Sequence, residues 1–178
     1  LSQGTTPSLP SLDIQYTDYL AWRANGSSAS QKQQQMEYWK QQLNALPSVH
    51  DLPLSQSRPA TLSHEGDNYK FEIESARLNE LTAVANAKQM TLFMLLQGMF
   101  SLLVSKFSNN KDVVVGTPIA NRHLPQLERL VGMFIDTRLL RVNCQSNLNL
   151  DEYLSVVKQV NLDAMANDTV SFADLIEL

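Results

Sequence analysis

Two charged residues inside an apolar strand pattern are the part of this sequence best suited to chemistry. Asp136 and Arg138 stand two apart in the second of two apolar, β-rich runs that a proline-containing loop separates within Gly116 to Arg141. An acid within an apolar strand costs free energy unless a partner pairs with it. Residues two apart on a strand share a face, so Asp136 and Arg138 could pair with each other. Alternatively, Asp136 faces a polar channel, with Asn121 and Arg122 brought alongside by the preceding loop.

The other reactive side chains form no recognised catalytic pattern. No His-Glu-x-x-His metal motif, Gly-x-Ser-x-Gly nucleophile elbow or Gly-rich phosphate loop occurs. Cys144 follows an apolar strand with no histidine nearby, which favours a packed thiol over a nucleophile. The histidines are widely separated in polar or proline-rich loops and are interpreted as surface residues. They are His50, His64 and His123.

Composition narrows the class of protein. The 178 residues are 43% hydrophobic and 18% charged, as in an ordinary globular domain. The net charge of −4 argues against nucleic acid or an anionic membrane as a partner. The single cysteine excludes an internal disulfide and favours the cytoplasm. The chain starts without Met or a signal sequence, which indicates a piece of a longer protein.

Helical and strand patterns interleave along the chain and must position Asp136. Residues 1–12 are rich in Ser, Thr, Pro and Gly and read as a linker. Period-two alternation predicts a half-buried strand over 67–74, and the β-branched run 113–115 predicts a strand buried on both faces. A helix that is apolar nearly all the way round, and therefore buried on most sides, starts after Thr91. Further helices are predicted over 13–23, from Ser30 to Leu46 and from Ser171 to Leu178. A helix that starts at Ser75 is predicted to turn inward Leu78, Leu81 and Val84 or Ala85. A helix that starts at Asn149 is predicted to place on its core side Leu150, Tyr153, Leu154, Val157 and Val160.

An aromatic cluster in the first helix has two readings. Tyr16, Tyr19 and Trp22 recur at helical spacing. They could form an aromatic platform for a ligand, although such clusters more often pack in a core or an interface. The pattern leaves both readings open.

Several motifs together make the chain resemble the condensation domains of nonribosomal peptide synthetases, in the chloramphenicol-acetyltransferase-like superfamily. Tyr16-Thr-Asp18-Tyr19-Leu-Ala-Trp22 resembles the family's Tyr-x-Asp-Tyr-Ala-x-Trp motif, and Val131-Gly132-Met-Phe134-Ile-Asp136-Thr137 resembles its Ile-Gly-x-Phe-Val-Asn-Thr motif. The remaining matches follow in the family's order. They are Glu37-Tyr-Trp-Lys-x-x-Leu43, Leu52-Pro-Leu54 with Arg58-Pro59, Thr91-Leu-Phe-Met94, Val115-Gly116-Thr-Pro-Ile-Ala-Asn121-Arg122 and Arg141.

The resemblance implies an α/β fold, an α+β sandwich in which helices cover a mixed sheet. Residues 13–178 would form the C-terminal lobe of the condensation domain, truncated before its end, and would contact the N-terminal lobe. The late motif His-Gln-Asp-x-Pro-Phe is altered here to Asn167-Asp168-Thr169-Val-Ser171-Phe172. The catalytic signature His-His-x-x-x-Asp-Gly of the family does not occur in this sequence.

The family's reaction gives the resemblance its functional content. The resemblance implies that upstream and downstream peptidyl carrier proteins present an acyl donor and an aminoacyl acceptor on phosphopantetheine arms. The amine of the acceptor then attacks the donor thioester. An adjacent adenylation domain is a further implied partner. The chain itself would hold no cofactor and no metal. The resemblance places in the substrate channel Asn121, Arg122, Asp136, Thr137 and Arg138. It assigns a structural motif role to Tyr16, Asp18, Tyr19, Trp22, Gly116, Gly132, Phe134 and Arg141.

One departure from the family stands at the centre of this channel. Asp136 replaces the motif's Asn, and an ionised carboxylate accepts hydrogen bonds where an amide could also donate. An acid there could instead orient the incoming ammonium. Without the catalytic His the chain is expected to be inactive alone. The alternatives are a non-catalytic scaffold lobe that binds carrier proteins and a fragment of a related epimerisation domain or free-standing acyltransferase.

Overall fold

Helices dominate this computed structural model, which describes residues 10–46, 49–57, 59–61, 63 and 66–178. Residues 1–9 of the predicted linker, Pro47, Arg58 and His64 lie outside that described part. The elements in chain order are α1 (Tyr16–Asn25), α2 (Ala29–Gln42), α3 (Ser75–Ala87), α4 (Leu92–Ser108), β1 (Asp112–Ile119), a short 3-10 helix (Pro125–Leu127), β2 (Asp136–Asn143), α5 (Leu150–Ala166) and α6 (Phe172–Ile176).

The chain divides into two compact units. The first unit contains Leu1–Gln41, Thr117–Arg138 and Asn167–Leu178, and the second contains Gln42–Gly116 and Leu139–Ala166. Cys144 N donates to Lys111 O at 2.6 Å, which sets the start of β1 beside the end of β2, so the strands pair antiparallel. The predicted class, helices combined with a sheet, is confirmed.

The first unit is held by an aromatic core and by polar ties to the segment before α6. Its buried residues Tyr19, Leu127, Leu130 and Phe134 pack with Ile14 and Tyr16. Two further ties fix α2. Trp39 Nε1 donates to Asn167 O at 2.9 Å, and buried Gln35 accepts from both the amide and the hydroxyl of Thr169 at 2.9 and 2.6 Å.

The second unit is built around close packing of α4 on α5. A Cβ added at Gly98 would lie 2.9 Å from the Val157 methyl carbons, so the absence of a side chain there lets the helices approach. Tyr153 on α5 donates its hydroxyl to Gly98 O at 2.6 Å. Burial, and then the thiol of Cys144 at 3.7 Å, raise the pKa of Tyr153. The predicted packed state of Cys144 is confirmed by its 5% exposure.

The starts of α4 and α5 were predicted correctly from their capping residues, whereas the predicted cap Ser75 is itself the first residue of α3 and the first helix starts at Tyr16 and not at residue 13. Thr91 Oγ1 accepts from Met94 N at 3.2 Å at the start of α4. Asn149 and Glu152 exchange side-chain to backbone hydrogen bonds of 3.0 and 2.9 Å at the start of α5. The predicted end of α2 at Leu46 was wrong, since the helix ends at Gln42 and Ala45 adopts a left-handed φ of 52°.

The predicted half-buried strand over 67–74 was wrong. These residues form no strand, and Tyr69, Phe71 and Ile73 are 91%, 74% and 41% exposed. Alternation makes a segment suited to a sheet, but a strand exists only where a second strand accepts and donates its hydrogen bonds. Within the described residues no backbone group pairs with the stretch 69–73.

Burial was also overestimated on several apolar positions. Helix α4 buries one face only, because Phe93, Phe100 and Phe107 are 50% to 62% exposed. On β1 only Val113 of the run 113–115 is fully buried. Periodicity shows that a face is apolar, but it does not show that another layer covers it. The same error affects Leu78 and Leu150, both exposed, whereas Ala85, given as the alternative to Val84, is buried at 1% exposure.

The length and hydropathy of the helices bear on whether any of them could cross a membrane. Among the described residues no single helix is both long enough and apolar enough to cross a membrane. Helices α3 and α4 together have the required length and composition, but the chain bends by 99° between them.

Arg141 ties the strand pair to the segment after α2. It contacts Asp112 through Nε at 2.9 Å and Nη2 at 2.5 Å, while Nη1 donates to the carbonyls of Gln42 and Asn44, both at 2.8 Å. The hydrogen bond to Asp112 is the largest reason why the pKa of Arg141 is raised. One guanidinium therefore satisfies a carboxylate and two carbonyls.

We expect Arg141→Lys to lower the free energy of unfolding by about 1–3 kcal/mol, because a lysine cannot make the bidentate contact and reach both carbonyls. Urea denaturation measures the loss. Arg77→Lys, at a pair with Glu80 whose side chains are 71% and 65% exposed, is the matched control and should change stability by less than about 0.5 kcal/mol. Equal losses in the two variants would contradict this role for Arg141.

Candidate functional site

The carboxylate of Asp136 joins three segments of the first unit. Its Oδ2 accepts from Arg23 Nη2 on α1 at 2.9 Å. Its Oδ1 accepts from the backbone amides of Thr137 at 2.8 Å and Phe172 at 3.3 Å. Asp136 is the first residue of β2 and Phe172 is the first of α6, so one side chain links α1, β2 and α6.

The ion partner of Asp136 is Arg23 and not Arg138. The two side chains of the pair are 30% and 16% exposed. Burial lowers the pKa of Arg23, but the hydrogen bond to Asp136 and the other electrostatic contacts of the guanidinium outweigh it, so the pKa is raised overall. Burial lowers the pKa of Arg138, with partial compensation from Asp168 and then Asp136. The acid that was anomalous in the sequence is therefore compensated from α1.

A cavity of about 200 Å³ is lined in part by Arg23, the arginine of this ion pair. Asn121 contributes a side-chain amide whose Nδ2 is buried and has no hydrogen-bond partner in the described part of the chain. Its φ of 49° is left-handed, a conformation that Asn tolerates better than most residues. Trp22 lies at the same cavity and is 55% exposed. The lining residues are Tyr19, Trp22, Arg23, Gly26, Ser27, Gln31, Asn121, His123, Asp168 and Thr169.

Arg122 is engaged by the loop that follows it. Its Nη1 donates to the carbonyls of Leu127 and of Leu130, the latter at 3.0 Å, and its guanidinium lies 3.9 Å from the centroid of the Phe134 ring. These contacts fold the 3-10 segment back onto the aromatic core. Arg122 stands between the cavity-lining residues Asn121 and His123 and braces this loop, and its place in a substrate channel stays a prediction.

The aromatic cluster divides between core and cavity. Tyr16 and Tyr19 pack on Phe134 with ring centroids 5.1 and 4.7 Å apart, and Tyr16 donates its hydroxyl to Met133 O at 2.6 Å. The ring centroids of Trp22 and Tyr19 are 6.1 Å apart. Two of the three rings are core residues, as the commoner reading holds, and Trp22 alone presents much of its ring to solvent.

The remaining predicted site residues are distributed over both units. Thr137 and Arg138 follow Asp136 on β2, and Asp18 caps α1 by accepting from Gln15 N at 2.7 Å. Gly116 and Arg141 belong to the second unit, apart from the cavity lining.

Sequence reasoning missed most of the residues that line this cavity, among them Arg23, Asp168 and Thr169. The usable signal for Arg23 was its position four residues after Tyr19 and one after Trp22, on the helix face that carries the motif. The signal for the other two was the altered late motif, where they replace the family's usual residues. His123, interpreted as a surface residue, is exposed and also lines the cavity.

Comparison with known proteins places these features in a family. The family model "Condensation domain" matches residues 1–178. The chain is 35% identical over 180 residues to the dimodular nonribosomal peptide synthase of Bacillus subtilis, covering 98% of this chain and 8% of that protein. It spans between 2% and 16% of the length of eight curated relatives that it matches.

Solved structures share the fold. The X-domain from teicoplanin biosynthesis superposes with a TM-score of 0.85 at 20% identity, covering 99% of this chain and 40% of that one. A four-domain nonribosomal peptide synthetase bound to AMP and glycine gives a TM-score of 0.78 at 26% identity, covering 85% of this chain and 12% of that one. The first likeness shows fold alone, and the fold is that predicted from the motifs.

We expect Gly132→Ala to destabilise the protein by about 1–3 kcal/mol, because the added Cβ would stand 2.3 Å from Cδ2 of the Tyr16 ring. Thermal or urea unfolding measures the change. Gly66→Ala is the matched control, since nothing lies within 4 Å of the added atom, and it should be neutral or slightly stabilising. A neutral Gly132→Ala would mean that Tyr16 does not pack against this backbone.

A double-mutant cycle tests the Arg23 and Asp136 pair. With Arg23→Met and Asp136→Asn, we expect a coupling energy of about 1–2 kcal/mol, because both partners are partly buried. The control cycle uses Lys32 and Asp174, 3.4 Å apart with side chains 52% and 32% exposed, where coupling should stay below about 0.5 kcal/mol. Additive losses at Arg23 and Asp136 would show that the pair contributes no stability of its own.

Proposed function

Because the chain belongs to the Condensation domain family, we propose that it is the C-terminal lobe of an amide-forming domain of a nonribosomal peptide synthetase. The observation that carries the proposal is the family match over all 178 residues, with two family motifs meeting at one site. The Tyr16 to Trp22 motif packs there against the Val131 to Thr137 motif, through Phe134 and Gly132.

The proposed reaction is an aminolysis. The amine nitrogen of an aminoacyl acceptor attacks the carbonyl carbon of a donor thioester, a C–N bond forms, and the C–S bond breaks. The sulfur leaves as a thiolate with the C–S electron pair and is protonated to the thiol, while the attacking nitrogen loses one proton. No group among Asn121, Thr137 and Arg138 is a suitable general base at neutral pH. The base is therefore proposed to come from the His-His-x-x-x-Asp-Gly signature outside this sequence.

The role proposed for this chain is to form a wall of the substrate channel. Asn121, Thr137 and Arg138 would line the channel, with Arg122 bracing the loop. Asp136 would support the wall, because both of its oxygens already accept hydrogen bonds from Arg23, Thr137 and Phe172. This assignment explains how an acid can stand where the family has Asn: Arg23 neutralises the charge.

The substrates are proposed to arrive on phosphopantetheine arms of upstream and downstream peptidyl carrier proteins, loaded by an adjacent adenylation domain in the cytoplasm. Such an arm carries amide groups, which need a donor and an acceptor. The cavity provides the unpaired Nδ2 of Asn121 as a donor, the carboxylate of Asp168 as an acceptor and the exposed ring of Trp22 as an apolar contact. These residues fit the amide portion of an arm.

A chimera tests the proposal. This chain replaces the matching stretch of the Bacillus subtilis dimodular synthase, with the rest of that protein, including any His-His-x-x-x-Asp-Gly signature, unchanged, and amide formation is followed by mass spectrometry. We expect turnover within about 100-fold of the parent, because the wall residues are retained while the exact substrate positioning is not.

Two controls that should be inactive accompany this experiment. The chimera with its signature histidine replaced should be inactive, and so should the 178-residue chain alone. A chimera that folds and binds carrier proteins but forms no amide bond would contradict the proposal and favour the scaffold alternative.

A further inference from the structure

Arg138 carries a positive charge that no group of the protein contacts directly. It is the third residue of β2 and is half-buried. Within the described residues its guanidinium forms neither a hydrogen bond nor an ion pair. A guanidinium has five N–H donors and stays charged at neutral pH, so burying half of it without partners costs free energy. Its donors and its charge are therefore available to a ligand.

The two acids nearest to this charge do not neutralise it. Asp136 shares a face of β2 with Arg138, but both of its oxygens already accept hydrogen bonds from Arg23, Thr137 and Phe172. Asp168 is exposed. Burial lowers the pKa of Arg138, and the charges of Asp168 and then Asp136 offset that effect only in part. The guanidinium is therefore an uncompensated cation beside a satisfied ion pair.

A second unpaired donor stands at the same end of the strand pair. Because β1 ends at Ile119 and the antiparallel β2 begins at Asp136, Asn121 and Arg138 belong to one end of the sheet, within the first unit. Asn121 lines the cavity together with Asp168, the acid whose charge affects Arg138 most. The Nδ2 atom of Asn121 has two N–H groups, so one remains when the other meets an amide of the arm. The site therefore offers a cationic donor and a neutral donor to an anion with two oxygen acceptors.

We infer that Arg138, assisted by Asn121, recognises a carboxylate at the end of the side chain of one substrate. The inference rests on the proposed function, since it names a substrate class for the proposed amide formation. A carboxylate presents two coplanar oxygens to a guanidinium and supplies the single negative charge that Arg138 lacks. A cationic side chain would be repelled, and an amide side chain would leave the charge uncompensated. The exposed ring of Trp22 at the cavity offers an apolar contact for the methylene groups of such a side chain.

Two probes that differ in one group test the inference on the 178-residue chain. They are N-acetyl-glutamate α-methylamide and its glutamine counterpart, whose capped backbones leave the side-chain carboxylate as the only charge. The indole N–H signal of Trp22, which lines the cavity, reports binding in NMR titrations, and buried Trp39 supplies a reference signal. We expect the glutamate probe to bind at least ~10-fold more tightly than the glutamine probe.

Variants assign this preference to residues. Arg138→Gln should weaken the glutamate probe at least ~10-fold and the glutamine probe less than ~2-fold, whereas Arg138→Lys should keep part of the preference through its charge. Asn121→Gly tolerates the left-handed φ of 49° and should weaken the glutamate probe about 3-fold more than the glutamine probe. The matched control is Arg129→Gln, an exposed arginine of the same unit, which should change neither affinity.

Several results would overturn the inference. They are equal affinities of the two probes, no shift of the Trp22 signal up to about 10 mM of either probe, and a preference that survives Arg138→Gln. A folded Arg138→Gln variant that loses stability but keeps the preference would make the residue structural.

The phosphate of the arm has similar acceptor chemistry, so 4′-phosphopantetheine is titrated beside pantetheine. A phosphate gain that depends on Arg138 and exceeds the carboxylate gain would assign the subsite to the arm and overturn the inference. An inactive chimera whose isolated chain keeps the probe preference would contradict the proposed function alone. An active chimera whose isolated chain has no preference would contradict this inference alone.

Discussion

The hydrogen-bonded ion pair of Asp136 with Arg23 is the constraint on which the candidate site depends. A partly buried carboxylate at the start of a strand is tolerable only if its charge and its lone pairs are satisfied. Arg23 compensates the charge, and the amides of Thr137 and Phe172 take the second oxygen. These groups come from α1, β2 and the start of α6. The contacts that satisfy the Asp136 carboxylate therefore also hold in place the segments around the cavity.

The second unit uses different means for a related purpose. Its core depends on the missing side chain of Gly98, which allows α4 and α5 to approach, and on the Tyr153 hydroxyl that caps the Gly98 carbonyl. Arg141 satisfies a carboxylate and two backbone carbonyls where the chain leaves α2 and the strands pair. In both units a single polar side chain gathers several segments, while apolar packing provides the bulk of the stability.

Local signals in the sequence predicted local features. Thr91 and Asn149 indicated helix starts, because capping depends on a few adjacent residues. The motifs around Asp136 indicated the family and its fold. Long-range pairing was not predictable. Nothing local selects Arg23 over Arg138 as the partner of Asp136, since the two compete only after α1 packs on the loop. Apolar patterns also overstated burial at Phe71 and Phe100, because a pattern cannot report whether its covering layer is present.

The central claim is that Asp136 supports the site through Arg23 and does not itself act on substrate. Turnover of the chimeric condensation domain, corrected for its folded fraction, tests this with Asp136→Asn alone and combined with Arg23→Met. If Asp136 acts through Arg23, Asp136→Asn should slow amide formation by leaving a partly buried guanidinium without its counter-charge, and the double variant should recover most of the lost turnover. A folded double variant as slow as Asp136→Asn would contradict the account and assign the carboxylate a direct role in the reaction.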